Sequence, residues 1–396
     1  MTPRSVAIAI CAAVLLAASV LNLPGPSAAA IAAWADNAPP SQVLSDYENH
    51  YAANLVRDCG YSQPLPADPS SSLWLFCDTD VYGFNSQQQW QWVNTINGST
   101  AAEGPATAGE VPAGLSEMLT PGTGVPAMPN NDGPAQFLPT PSLGCGSGYY
   151  AASWISGVTQ DAARSSDVLI SFGDFCVQTG GTNVIAEGFG LAEYNPASNT
   201  LDSDQTVFTG ASTPAQELLG APVFSGGYLY LFGSYCADTV DATCVSASGN
   251  AVYLARVSAN AAAWGSAASY RWYAGSTWTA TVGSATSVVS GATPLAVNVA
   301  SFASVGQGLV LIEETNLVGG FTVYEASSPT GTWTQKTSGT VPCTTEGNSF
   351  CRAIIGHPEL STTSQLLISF YNPAAAPYYY PAAGPEGHVM VAAFPW

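Results

Sequence analysis

One short pattern occurs five times between Leu73 and Asn372: an apolar run that ends in a small or polar turn. The runs cover 73–78 (LWLFCD), 169–174 (LISFGD), 229–234 (LYLFGS), 309–314 (LVLIEE) and 367–372 (LISFYN). Their last residues are Asp78, Asp174, Ser234, Glu314 and Asn372, at intervals of 96, 60, 80 and 58 residues. Each run is short, rich in β-branched and aromatic residues and bounded by turn formers, which is the signature of a buried strand. Extended segments such as Ala221-Pro222-Val223-Phe224 and His357-Pro358-Glu359-Leu360 precede the runs, and shorter strands follow them. Three or four strands per unit, repeated five times, is what a β-propeller requires. Two β-sandwiches are the alternative, but they do not explain the shared register. The 39 Gly and 28 Pro work against long helices, and no long amphipathic pattern is present. The expectation is an all-β, single-domain, five-bladed propeller over residues 43–396. The long first interval holds a Gly/Pro/Ala-rich stretch from Ala101 to Gln136, read as an inserted loop.

The start of the chain reads as an address. Arg4 is the only charge before Asp36, an apolar run extends from Val6 to Leu23, and small residues follow from Ala28 to Ala33. This is the layout of a secretory signal, placed at residues 1–33; the competing reading is an uncleaved membrane anchor. Cysteine usage agrees with a secreted, extracellular protein. Of nine Cys, Cys11 falls in the leader and eight remain. Their order suggests Cys59–Cys77, Cys145–Cys176, Cys236–Cys244 and Cys343–Cys351, although eight Cys allow 105 pairings. There is no C-x-x-C and there are only three His, so disulfides are preferred to a metal cluster. Seven basic residues stand against 27 acidic ones, a formal net charge of −20. Such a chain cannot neutralise nucleic-acid phosphates or dock on anionic membranes.

Several segments resemble a known group. Val56-Arg57-Asp58-Cys59-Gly60 and Leu75-Phe76-Cys77-Asp78-Thr79 are similar to the first blade of secreted five-bladed propellers related to actinobacterial endo-D-arabinanases, with Cys77 in place of the usual turn glycine. Ala255-Arg256-Val257 with Tyr270-Arg271-Trp272 and Trp278 resembles that group's third-blade exit, and the segment from Ala326 to Trp333 its fourth. His357-Pro358-Glu359-Leu360 and the run 367–372 resemble its fifth blade. The resemblance implies a glycoside-hydrolase-like propeller, with an arabinan as one substrate to consider.

Glycoside hydrolysis needs two carboxyl groups flanking one linkage, one protonated and one ionised, and propeller blades can bring acids together at one mouth. Asp58 matches the group's aspartate and is placed just before the first inner strand. Asp174 occupies the second repeat's equivalent of Asp78, and Glu359 sits beside His357 at what reads as an inner-strand start. Asp58, Asp174, Asp78 and Glu359 are therefore the catalytic candidates, with Asp80 and Glu314 as further acids. Each could equally be a turn or strand-end carboxylate serving its own backbone. Trp154, His357, Tyr371 and Asn372 are the candidate substrate-binding residues, and Trp272 and Tyr378-Tyr379-Tyr380 could also stack on sugars, although most propeller aromatics are core. No G-x-S-x-G, H-E-x-x-H or P-loop occurs. The expected function is a secreted glycoside hydrolase acting as a monomer on a polysaccharide or oligosaccharide. It has no nucleic-acid partner and, once the leader is cleaved, no membrane partner. No metal or other cofactor is expected; His357 among carboxylates could help hold a structural central cation, although a satisfied structural His is the commoner case. The alternative is a non-catalytic carbohydrate-binding or surface-interaction propeller.

Overall fold

A computed structural model describes residues 53–396 apart from 85–89, 113, 119, 123–133, 182, 210–218, 236–248, 348 and 376–385. The segment 1–33 read as a leader, the pairing expected for Cys236 and Cys244, and Tyr378-Tyr379-Tyr380 lie outside the described residues.

Five antiparallel sheets follow one another along the chain. Blade I holds β1 (Ala53–Pro64), β2 (Ser71–Phe84), β3 (Trp90–Ile96), β4 (Thr100–Pro105) and β5 (Ser116–Glu117). Blade II holds β6 (Tyr149–Gln160), β7 (Val168–Gln178), β8 (Val184–Asn195) and β9 (Thr200–Thr209). Blade III holds β10 (Leu219–Ser225), β11 (Tyr228–Tyr235), β12 (Ala251–Ser258), β13 (Arg271–Ala274) and β14 (Thr277–Thr279). Blade IV holds β15 (Ala296–Ser301), β16 (Leu309–Glu314), β17 (Gly320–Ala326) and β18 (Thr334–Thr340). Blade V holds β19 (Arg352–Gly356), β20 (Gln365–Asn372) and β21 (His388–Pro395). The arrangement is a single-domain five-bladed β-propeller.

The five apolar runs fall in β2, β7, β11, β16 and β20, the second strand of each blade. These strands are covered on both faces by neighbouring blades, which is why they read as continuous apolar stretches rather than alternating ones; ten of the eleven residues of β7 are buried. The outer strand β18 faces water and is polar along its length. Apolar clusters fill the spaces between successive blades. A further cluster, with Trp74, Phe76, Leu367, Val389 and Val391, joins blade V to blade I and closes the ring.

The inner strands β1, β6, β10, β15 and β19 approach one another around the axis. Blades II and III come closest where Gly157 faces Ala221. A Cβ on Gly157 would stand 2.6 Å from the Ala221 nitrogen, so only glycine fits.

Two readings of the chain need correction. The stretch from Ala101 to Gln136 is not all insertion, because Thr100–Pro105 is a strand paired with β2. Its alanines hid it: Ala101 and Ala102 have low strand propensity but stand opposite Leu75 and Trp74, where small side chains fit. The fifth inner strand is Arg352–Gly356, and His357-Pro358-Glu359-Leu360 is the turn after it. Pro358 has no N–H for a ladder, and the His357 carbonyl accepts the N–H groups of Leu360 and Ser361 instead.

Candidate active site at the propeller mouth

The inner strands surround a cavity of about 1130 Å³ at one end of the ring, lined from all five blades. Asp58, Asp78 and Asp80 enter from blade I, Tyr150 and Trp154 from blade II, Phe232 from blade III, Glu314 from blade IV, and Arg352 and Tyr371 from blade V.

Asp58 lies within β1, not ahead of it. The β1–β2 register slips on both sides of Cys59, and Cys59 has φ 70°, a left-handed value costly for a residue with a Cβ. A bulge of this kind leaves a residue out of the ladder and re-aims its side chain. The Cys59–Cys77 disulfide ties the bulge to β2. Arg352 donates to Asp58 Oδ2 from Nε at 2.9 Å and Nη2 at 2.7 Å. The guanidinium also lies 4.2 Å over the Tyr371 ring, which holds it in place. The preceding Arg57 turns the other way, pairing with Glu117 at 3.0 and 2.9 Å over the ring of Phe76.

Glu314 ends β16 and is 4% exposed. Burial pushes its carboxyl up to about 8, against the pull of the Arg352 charge and the N–H groups of Ile354 and Ala353. Those N–H groups are presented by an irregularity in β19, where the register shifts between Arg352 and Ile355 and Ala353 has φ 57°. Asp78 is pushed up to about 6 by burial, while the hydrogen bonds of Tyr150, Trp154 and Gly98 hold it down and the Asp58 charge adds to the rise. Its Oδ1 accepts the Gly98 N–H at 2.6 Å and the Trp154 indole N–H at 2.9 Å, and its Oδ2 accepts the Tyr150 hydroxyl at 2.5 Å. Asp80 accepts a hydrogen bond from the Thr95 hydroxyl.

Of the eight leading catalytic and substrate-binding candidates, Asp58, Asp78, Trp154 and Tyr371 therefore meet at the mouth, joined by the further acids Asp80 and Glu314, and the other four do not. Asp174 is 2% exposed and turned into blade II. It accepts Ser153 at 2.7 Å and Thr206 at 3.1 Å in space left by Gly188, so it braces strands and does not line the mouth cavity. Glu359 and His357 lie in the turn after β19, at the end away from the mouth. The Ser62 hydroxyl bonds both His357 Nδ1, at 2.6 Å, and the Glu359 carboxyl. His357 is fully buried against Trp74, and burial pushes it down to about 3, so it is a neutral core group joining blades I and V. Asn372 accepts the N–H groups of Thr344 and Ala374, bracing loops beside the mouth. Trp272, 2% exposed, is core between blades II and III.

Sequence reasoning missed Arg352 and Tyr150 and ranked Glu314 too low. A signal for Arg352 existed: a chain with seven Lys and Arg in total has few counter-ions, and each one near a candidate acid merits attention.

The model of a family described as a domain of unknown function (DUF5005) matches residues 176–382, just over half of the chain. A search of curated proteins finds no match. Solved structures similar in fold include a Bacteroides ovatus ATCC 8483 protein described as "a putative hydrolase", 14% identical with a TM-score of 0.56, covering 89% of this chain and 93% of that one. Another is the GH43_1 enzyme from Xanthomonas citri, 9% identical with a TM-score of 0.44, covering 93% of each chain. An exo-1,5-alpha-L-arabinanase from a bovine ruminal metagenomic library is 9% identical with a TM-score of 0.37, covering 87% of this chain and 95% of that one.

Proposed function

The chain belongs to the DUF5005 family, and from the chemistry of its mouth we propose that it is a secreted glycoside hydrolase acting on a polysaccharide or oligosaccharide. The observation that carries this reading is one cavity holding two unlike carboxyl groups. Asp58 is paired with Arg352, and Glu314, two blades away around the ring, is pushed by burial up to about 8. Cleaving a glycosidic bond needs such a pair, one group charged and one protonated. In this reading Glu314 protonates the leaving oxygen. Asp58 acts on the anomeric side through Oδ1, since both Arg352 donors fall on Oδ2. Asp78 holds Tyr150 and Trp154 in place, and Trp154 and Tyr371 supply apolar faces for a sugar ring. The description of the Bacteroides ovatus protein agrees with a hydrolytic role. The sequence resemblance to endo-D-arabinanase relatives puts arabinans first among substrates to try.

The test is a glycan panel, arabinans included, with chromatography of products from the parent, Asp58→Asn and Glu314→Gln. We expect shortened oligosaccharides from the parent and a loss of about 10³-fold or more in each variant, with melting curves that show both still fold. Near-normal turnover in either variant overturns the assignment of that residue. No product from any glycan, together with saturable binding of an oligosaccharide, selects the non-catalytic carbohydrate-binding propeller; the double hold of Arg352 on Asp58 is the feature that favours that second reading.

A further inference from the structure

At the end of blade II opposite the mouth, β6 and β7 are joined by the hairpin Asp161-Ala162-Ala163-Arg164-Ser165-Ser166-Asp167. The Asp161 N–H donates to the Asp167 carbonyl at 3.0 Å and closes the loop. Glu193 of β8 lies beside it. These three acids are 1%, 1% and 3% exposed, and one carboxylate oxygen of each lies within 4.8 Å of the other two. One oxygen per residue is held by the protein: Asp161 Oδ1 accepts the Ala163 N–H at 2.6 Å, Asp167 Oδ1 accepts Ser166 at 2.8 Å and Asn195 at 2.9 Å, and Glu193 Oε2 accepts Ser203 at 2.7 Å. The other three, Asp161 Oδ2, Asp167 Oδ2 and Glu193 Oε1, are buried and accept no hydrogen bond from any described residue.

Three charged carboxylates in so small a buried volume need a cation or a shared proton, because the cost of taking each from water adds to their mutual repulsion. The cation beside them is Arg164. Its side chain is 45% exposed, with Nε 3.4 Å from Glu193 Oε1 and Nη1 3.8 Å from Asp167 Oδ2. Its hydrogen bond goes outward, from Nη1 to Asp202 at 3.2 Å. One half-exposed guanidinium does not balance three carboxylates, and the remainder falls to a bound cation or to a proton shared between Asp161 and Glu193.

We propose that Asp161, Asp167 and Glu193 form a structural site for a hard divalent cation, calcium, that ties the β6–β7 hairpin to β8. The donors are all carboxylate oxygens, with no nitrogen or sulfur ligand, which selects hard ions. Calcium takes six to eight oxygens in flexible geometry, carboxylates among them, whereas magnesium demands a near-ideal octahedron and keeps several of its waters, so a buried set of three carboxylates suits the larger ion. Mouth-lining residues of β6 end at Ser156, so the site lies about 15 Å further along the strand by its rise per residue. It is independent of the sugar chemistry and separate from the propeller axis.

The experiment uses the full disulfide-bonded chain after export, stripped with EDTA and titrated with calcium chloride in a calorimeter, with melting followed in parallel. The result expected is one calcium per chain, a melting temperature raised by about 3 °C or more, and a smaller rise with magnesium chloride at the same concentration. The double variant Asp161→Asn/Glu193→Gln should lose the heat and the shift. Arg164→Gln removes only the competing cation and should bind calcium several-fold tighter. Melting that ignores calcium in the parent overturns the proposal and leaves a shared proton plus Arg164 as the source of compensation. A calcium response that persists in the double variant also overturns it, because the ion then binds elsewhere. If the double variant does not fold, Arg164→Gln decides: tighter binding supports the site and unchanged affinity overturns it.

Discussion

Asp58 and Glu314 carry the same functional group and differ only in what surrounds it. Asp58 meets Arg352 directly, whereas Glu314 is enclosed and feels the same guanidinium without a hydrogen bond from it. Arg352 therefore acts on both members of the proposed pair. Replacing it with Gln removes the charge that holds Glu314 down, so the Glu314 carboxyl should rise further. In the proposed hydrolysis, the high-pH limb of the rate profile reports loss of that proton. We expect Arg352→Gln to move this limb upward by about one pH unit and to lower kcat/KM about 10- to 100-fold. A limb that stays in place in the pH profile of the variant would remove Glu314 from the role of acid. Asp174 shows why register alone did not pick the partner. It is equivalent to Asp78 along the chain, yet its side chain serves Ser153 and Thr206 while its neighbours Gly173 and Phe175 line the mouth.

Strands in this fold are placed by packing and re-aimed by irregularities. The bulge in β1 that turns out Asp58 is tied to β2 by Cys59–Cys77, a link across 18 residues. Removing it with Cys59→Ser/Cys77→Ser should cost about 2–4 kcal/mol in urea unfolding. The cleavage rate should fall even where the variant is fully folded, because the bulge is then free to settle back into the ladder. Unchanged turnover in the folded double variant would mean that packing alone sets the aim of Asp58. The inner strands of blades II and III depend on a missing side chain. Gly157→Ala would bring a Cβ within 2.6 Å of backbone that cannot move aside, and we expect a loss of about 2 kcal/mol or more. Gly144→Ala, with nothing within 4 Å, is the control and should change stability by less than about 1 kcal/mol. Equal denaturation midpoints for the two variants would contradict the close approach.

Across the whole molecule, 27 acidic residues face seven basic ones, so repulsion grows as pH rises through the carboxylate range. Buried acids add to this. Glu314 titrates near 8 when folded against 4.5 when unfolded, and Asp78 near 6 against 3.8. Between those values the unfolded chain has released protons that the folded one keeps, so stability is full below the unfolded value and is lost as pH climbs through the folded one. His357 works in the opposite sense: buried neutral and pushed from 6.5 down to about 3, it loses stability as pH falls below 6.5. A tenfold change in proton affinity on folding corresponds to about 1.4 kcal/mol, and the acids outweigh the single His between pH 8 and pH 5. The melting temperature should therefore be higher at pH 5 than at pH 8 and fall below pH 4. Glu314→Gln should flatten the limb above pH 5. A melting temperature that climbs steadily from pH 5 to pH 8 would show that the acids do not dominate.

The sequence alone determined the number of blades and the second strand of each, and the order of its cysteines suggested the three described disulfides Cys59–Cys77, Cys145–Cys176 and Cys343–Cys351. These are written locally. A strand buried on both faces must be apolar throughout, and a cysteine near its neighbour in sequence can reach it across a hairpin or to the next strand. Which acids meet was decided only by the tertiary structure. Facing the mouth depends on bulges that shift a side chain from one face to the other, and on which blade lies opposite. Glu314 gains its proton from enclosure by β19, an element that starts 38 residues later. Arg352 stands 294 residues along the chain from Asp58, and a contact across that distance comes from closure of the ring and from no pattern in either segment.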